Sequence, residues 1–241
     1  MTDRALSFLV YGPARGGKST FAVTSPAPRL ILDVEAASRF LPGNKVRWNP
    51  KTEAPPVPDG TWDTAIVAVT DVYDAFKAYE YLKSGQHPFR SVILDSISEF
   101  QVKLQEDVAG RAKMKIQDWG EMYSRISFFG RDLRDLTHLP NNTIEALVVI
   151  AMDSVNVQNG SHRPLLQGQA KDVIPYWYDI NGYFYTRDVA GADGATTQER
   201  VLFVGEHPQF IAGCRPSGLP AELVNPNIEE LITRIFGPAD A

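Results

Sequence analysis

The 241-residue sequence predicts an α/β fold: a mostly parallel β-sheet flanked by helices, with an antiparallel β-hairpin at one edge. Three observations predict it. Short apolar runs rich in β-formers occur at 5–11, 29–33, 65–69, 91–95 and 146–152, with segments of helical period between several of them. Strands that alternate with helices pair in parallel, because each helix carries the chain back across the sheet. Two later runs, 181–187 and 200–205, flank a stretch rich in Gly, Asp and Ala, which is a hairpin pattern.

The elements follow in order. The first run enters a glycine-rich stretch, and a helix starts at Lys18 and stops at Ser25-Pro26. Residues 49–60 hold Pro50, Pro55, Pro56 and Pro58; proline cannot donate to a ladder, so this is an exposed excursion within one domain. Across 71–84, Val72, Phe76, Tyr79 and Leu82 form one helical stripe that ends at Gly85, a C-cap residue. The longest helix is expected from Trp119 to Leu136, with Met122, Ile126, Phe129 and Leu133 on its apolar face and Asp118 and Glu121 as its cap pair. A last helix follows Asn227, with Ile228, Leu231, Ile232 and Ile235 as its stripe. The whole of 1–241 therefore reads as one domain, with the excursion at 49–60, the hairpin at 181–205 and the terminal helix at 227–237.

Composition narrows the function. At 44% hydrophobic and 22% charged, the chain has the material for an ordinary soluble core. Lys plus Arg is 24 against 29 for Asp plus Glu, a net charge of −5, which excludes a histone-like grip on nucleic acid by bulk charge and leaves a local basic patch open. The single cysteine, Cys214, excludes an intrachain disulfide. The longest apolar run, 146–152, is far short of the roughly 18 residues of a membrane span, and the N-terminus lacks the pattern of a leader. The expected location is the cytoplasm. His87, His138, His162 and His207 show no metal-ligand spacing, so no structural metal is expected.

The most specific motif is Gly12-Pro13-Ala14-Arg15-Gly16-Gly17-Lys18-Ser19, a full G-x-x-x-x-G-K-[ST], followed by Thr20. A strand enters it and a helix leaves it. Glycines let backbone N–H groups turn toward a phosphate, and the helix N-terminus adds partial positive charge. Lys18 reaches the β- and γ-phosphates, and the Ser19 hydroxyl ligates Mg²⁺. The expected ligands are thus ATP and Mg²⁺. A second acid is needed at the end of a buried strand, and Ser91-Val-Ile-Leu-Asp95 supplies it, with Asp95 holding the metal through water. A third apolar run ends Asp33-Val34-Glu35. If the extended conformation continues, both acids share one face, where a carboxylate can polarise water; solvent-facing acids at a strand end fit the pattern equally.

This order of motifs resembles the RecA family of recombination ATPases, in which a phosphate loop is followed by a strand ending D-x-E and a hydrophobic strand ending Asp-Ser. The matching residues are Gly12–Ser19, Asp33-Val34-Glu35 and Val92–Ser96. The resemblance implies a RecA-like P-loop NTPase fold and makes Glu35 the general base. The length, the Gln117-Asp118-Trp119 helix start, the strand 147–152, the segment 166–175 and Asp179–Tyr183 resemble a narrower group, the short single-domain bacteriophage ATPases of single-strand annealing. A phage-encoded chain would act in the host-cell cytoplasm. Two departures stand out: the first strand starts near Met1, without RecA's N-terminal piece, and the position of RecA's γ-phosphate-sensing Gln reads Asp153.

By the same resemblance, two segments would face single-stranded DNA. Residues 110–115 carry Arg111, Lys113 and Lys115 with no acid, and 154–171 carries His162, Arg163 and Lys171. Both patterns also fit a plain solvated surface. Of the aromatic run Tyr176-Trp177-Tyr178, at least one ring is expected in the core. A cation from a neighbouring subunit of a ring or filament would be Arg187, Arg200 or Arg215, and Arg39 and Phe40 would flank adenine. The resulting expectation is a Mg-dependent ATPase, slow and stimulated by DNA, that promotes annealing or strand exchange as a homo-oligomer, with a single-strand binding protein as a further partner. The alternatives are a nucleotide switch that recruits a replication partner, a small-molecule kinase, though no arginine-rich lid is evident, and a plain structural ATP-binding module.

Overall fold

The computed structural model describes residues 4–140, 142–190 and 196–238. Its eleven-stranded sheet runs β11-β9-β8-β1-β6-β5-β2-β4-β3, with β10 on β8 and β7 on β6. The strands are β1 (Leu6–Gly12), β2 (Arg29–Asp33), β3 (Lys45–Arg47), β4 (Thr64–Ala68), β5 (Ser91–Asp95), β6 (Ala146–Val155), β7 (His162–Pro164), β8 (Ile180–Ala190), β9 (Thr196–Phe203), β10 (Gly213–Cys214) and β11 (Glu222–Val224). From β8 to β3 every neighbouring pair is parallel. β9 and β11 pair antiparallel, so the fold is the mostly parallel sheet with an antiparallel edge that the sequence predicts. The turn of that hairpin, 191–195, lies outside the described residues.

The strand sequences explain the layering. In β1 every residue is buried, as a central parallel strand covered on both faces requires. Its alternate side chains divide: Leu6, Phe8 and Val10 join Ile31, Ile93 and Val148 on one face, while Leu9 and Tyr11 join Leu32, Leu94 and Val149 on the other. The first face is covered by α1 (Lys18–Ala22) through Phe21 and by α6 (Ile228–Phe236) through Ile228, Leu231 and Ile232. The second is covered by α2 (Val72–Lys83), α3 (Ile97–Ala109) and α4 (Ile116–Asp135). A short α5 (Ala170–Val173) precedes β8.

Local signals account for most helix ends. Asp71 caps α2 in a reciprocal box with Asp74, and Gly85 follows in the left-handed region, φ 67°. Asn227 accepts the Glu230 N–H at the start of α6. The long helix corrects the expected start. It begins three residues earlier, at Ile116, and Asp118 is its third residue, accepting the Lys115 N–H at 2.7 Å. The acid fixes the first turn from inside it. Trp177 and Tyr178 are buried and Tyr176 is exposed, so two rings of that run belong to the core.

α3 is an element that periodicity could have found. Ile97, Phe100 and Leu104 lie on its buried side, and Ser96 caps it by accepting the Glu99 N–H. That S-x-x-E spacing is a helix-start signature. The Pro-rich segment links β3 to β4 and is mostly exposed. Among the described residues no helix is long and apolar enough to cross a membrane.

Candidate functional site: a phosphate loop with two acids

The carboxyl ends of parallel strands are where loops converge on a ligand, and the Gly12–Ser19 loop sits there. Gly12 pairs with Met152 of β6 across the sheet. A Cβ on Gly12 would collide with the backbone oxygen of Phe184, so the close approach of β8 demands glycine. Gly17, the residue before α1, has φ 97°, and a Cβ there would lie 2.8 Å from Arg200 Nε. The loop edges a cavity of about 750 Å³ that also takes in Lys18, Ser19, Thr20, Glu35, Asp95 and Asp153.

Three distant segments meet at this cavity. Asp95 ends β5, and β6 separates it from the loop strand β1. Even so, Ser19 Oγ donates to Asp95 Oδ2 at 2.6 Å. Glu35 follows β2; the Val34 and Glu35 N–H groups both reach the Asp95 carbonyl, at 2.8 and 3.3 Å. Ser96 Oγ donates to Glu35 Oε1. Ser96 thus holds Glu35 beside Asp95, a role sequence reasoning did not assign. Burial pushes the Asp95 carboxyl up to about 6, with Glu35 and Asp33 adding to the rise and the Ser19 hydrogen bond and Lys18 opposing it. Lys18 Nζ donates to the Gly12 and Pro13 carbonyls at 2.9 and 2.8 Å. Its burial holds the ammonium below its ordinary pKa, and Asp95, Glu35 and Asp153 pull the other way.

The two acids of the D-x-E run do not share a face. The extended conformation stops at Asp33, and Ala36 turns with φ 55°. Asp33 is buried and accepts from the Ala37 and Ser38 N–H groups and from Ser38 Oγ, so it fixes the turn after the strand. Glu35 is exposed into the cavity. Asp153, at the far end of β6, lines the same space, and its Oδ2 lies 2.7 Å from His162 Nδ1. His162 is therefore on the cavity acid rather than standing free, a pairing the sequence did not signal. Ser19 and Asp95 present the hard oxygen donors that Mg²⁺ takes in such sites, with water and phosphate filling the rest. The residues fit that ion.

The remaining predicted residues fall in several places. Arg111, Lys113 and Lys115 are exposed on the link between α3 and α4. Arg163 is on β7 and Lys171 in α5. Of the second segment, Gln167 is bound to α3: Gln105 Nε2 donates to its Oε1 at 2.9 Å and Gln101 Nε2 to its carbonyl at 3.2 Å. Arg187 is paired with Glu199 and Glu222. Arg215 is paired with Asp179 and also donates to the Tyr176 carbonyl. Arg200 instead lies against Gly17 of its own chain. The Arg39 guanidinium stacks on Phe40, 4.6 Å from the ring centre, and Phe40 reaches the cavity.

A family model described as an AAA domain, AAA_24, matches residues 4–215. No curated protein gives a significant match. Among solved structures, the chain is similar to the RadB recombinase, with 14% identity, TM-score 0.44, and 82% of this chain and 79% of that one covered. It is also similar to an ATPase of the type III secretion system of pathogenic bacteria, with 12% identity and TM-score 0.44, covering 74% of this chain and 52% of that one. The flagellar accessory protein FlaH from Methanocaldococcus jannaschii aligns at 10% identity and TM-score 0.40, over 91% and 84%.

Proposed function

This chain belongs to the AAA_24 family of AAA domains, and on that premise we propose that it binds ATP with Mg²⁺, hydrolyses the nucleotide slowly, and uses it to control single-stranded DNA binding and annealing or strand exchange as a homo-oligomer. One observation carries the hydrolytic part: Lys18, the Ser19–Asp95 hydrogen bond of 2.6 Å and Glu35 border one cavity of about 750 Å³, within the usual range of roughly 300–1,000 Å³ for ligand sites.

The chemistry follows from the groups present. Backbone N–H groups of the loop and the start of α1 bind the phosphates. Lys18 leaves the Gly12 and Pro13 carbonyls to neutralise charge on the transferring group. Ser19, and Asp95 through water, would hold Mg²⁺, which would supply further charge neutralisation for the phosphates. Glu35 accepts a hydrogen bond from the attacking water and orients it in line; water oxygen bonds to phosphorus as the bond to the ADP oxygen breaks, and the water's proton passes to the Glu35 carboxylate and on to the released phosphate. Ser96 keeps Glu35 aimed.

The DNA part is supported by two segments, one with exposed Arg111, Lys113 and Lys115 and the other with half-buried Arg163 and Lys171. Exposed cations suit a phosphate backbone.

The test is ATP turnover with and without single-stranded DNA in the wild type, Lys18→Ala and Glu35→Gln. Turnover should rise with DNA and fall by about 100-fold or more in both variants, with nucleotide binding retained in Glu35→Gln. Turnover in Glu35→Gln equal to wild type would remove Glu35 from the mechanism. Turnover indifferent to DNA would detach the ATPase from the strand.

A further inference from the structure

A second cavity of about 420 Å³ opens over the carboxyl ends of β2, β4 and β3, at the far side of the turn that follows Glu35. Three parallel strands end there, the position at which open α/β sheets receive ligands. It shares a wall with the phosphate-loop cavity: in the turn 34–41, Glu35, Ala37 and Phe40 face the first space, and Ala36, Ser38 and Arg39 face the second.

The charges in this second cavity are unequally committed. Each carboxylate is already bonded. Asp33 holds the turn at Ala37 and Ser38. Asp74 accepts from Thr70 and Asp71 and carries Lys51 at 2.8 Å. Glu53 accepts the Asn49 N–H at 2.8 Å. The two guanidiniums, Arg39 from the turn and Arg47 from β3, have no ion pair and no side-chain hydrogen bond among the described residues, though the Arg39 guanidinium stacks on Phe40 at the wall between the cavities. Two guanidinium forks arriving from different segments suit a phosphate ester, whose tetrahedral oxygens, unlike a planar carboxylate's, can be met from more than one side. Trp48 is buried against the cavity and gives it a rigid wall.

We propose that this cavity is a second anion site, in which Arg39 and Arg47 bind the phosphate group of one nucleotide unit. The shared chemistry is a phosphate ester, presented either by a free nucleotide or by the backbone of a single strand. The site stands apart from the hydrolysis proposed above, because it uses neither Lys18 nor the loop.

The experiment exploits that independence. Labelled dTMP, inorganic phosphate and an oligo(dT) strand are dialysed to equilibrium against the full chain carrying Lys18→Ala, alone or combined with Arg47→Ala or Arg47→Lys. Lys18→Ala disables the loop, so the binding that remains reports other sites. At least one probe should bind, with affinity about tenfold weaker on adding Arg47→Ala and partly regained with Arg47→Lys. Arg47 dependence with dTMP or phosphate assigns a free ligand; dependence confined to the strand assigns its backbone. Binding by no probe, or binding indifferent to Arg47 in every case, overturns the proposal. Neither result bears on the ATPase reading, which rests on Lys18 and Glu35 turnover with Arg47 intact.

Discussion

The carboxyl ends of β1, β5 and β2 and the hairpin of β8 and β9 treat charge in opposite ways. At the strand ends, Asp95, Glu35 and Asp153 crowd one cavity, and the one lysine among them points to backbone carbonyls. On the hairpin edge, Arg187 is met by Glu199 at 3.1 Å and Glu222 at 2.6 Å, and Arg215, just beyond it, by Asp179 at 2.9 Å. In the first, neither Lys18 nor Arg15, the two cations of the lining, is ion-paired with these acids among the described residues, and such crowded acids are favourable where a metal or ligand completes the site. In the second, Arg187 and Arg215 are each met directly by carboxylates. Arg200 is the exception that joins the two: it grows from the hairpin but lies against Gly17.

The strongest way to break the comparison is to separate the regions. Gly12→Ala sets a methyl group against the Phe184 carbonyl, so β8 must move off β1. The expected loss is about 3 kcal/mol of folding stability, read by urea unfolding, together with loss of nucleotide binding. A variant as stable as wild type would show that the hairpin edge is not pressed on the loop. Next in size, Asp95→Asn removes the charge that shares the Ser19 hydroxyl. Turnover should fall about 100-fold and the Mg²⁺ concentration for half-maximal rate should rise, measured by metal titration of steady-state turnover. An unchanged metal dependence would exclude Asp95 from the metal's shell.

The sequence made the loop legible because its chemistry is contiguous: eight consecutive residues between a strand and a helix carry the whole signal. Asp95 was legible for a related reason, since a fully buried parallel strand ending in an acid is a short local pattern. The D-x-E run misled by alternation. Period two holds only while the chain stays extended, and it stops at Asp33, so the first acid turned inward to Ser38 and only Glu35 reached the cavity. Ser96 on Glu35, His162 on Asp153 and Arg200 on Gly17 are contacts between separate elements, and no spacing rule joins them. Among the elements, β3, β7, β10 and β11 were missed because two or three residues are too few to show a period.

The finest test sets Arg200 against Arg187 within one hairpin. Arg200→Ala should weaken nucleotide binding by about tenfold, because a charge-assisted hydrogen bond to phosphate contributes on the order of 1.4 kcal/mol or more; a fluorescent ATP analogue reports it by titration. Arg187→Ala should change the same affinity by no more than about twofold, since an exposed, already paired arginine contributes little beyond its own neighbourhood. The order of the two effects is the informative quantity. If Arg200→Ala leaves affinity intact at low protein concentration but depresses turnover as the chain assembles, the cation serves a neighbouring subunit instead of its own loop. If Arg187→Ala is the more damaging change, the ion pairs with Glu199 and Glu222 must open in the active assembly, and the hairpin would then be the part that moves while the strand ends stay fixed.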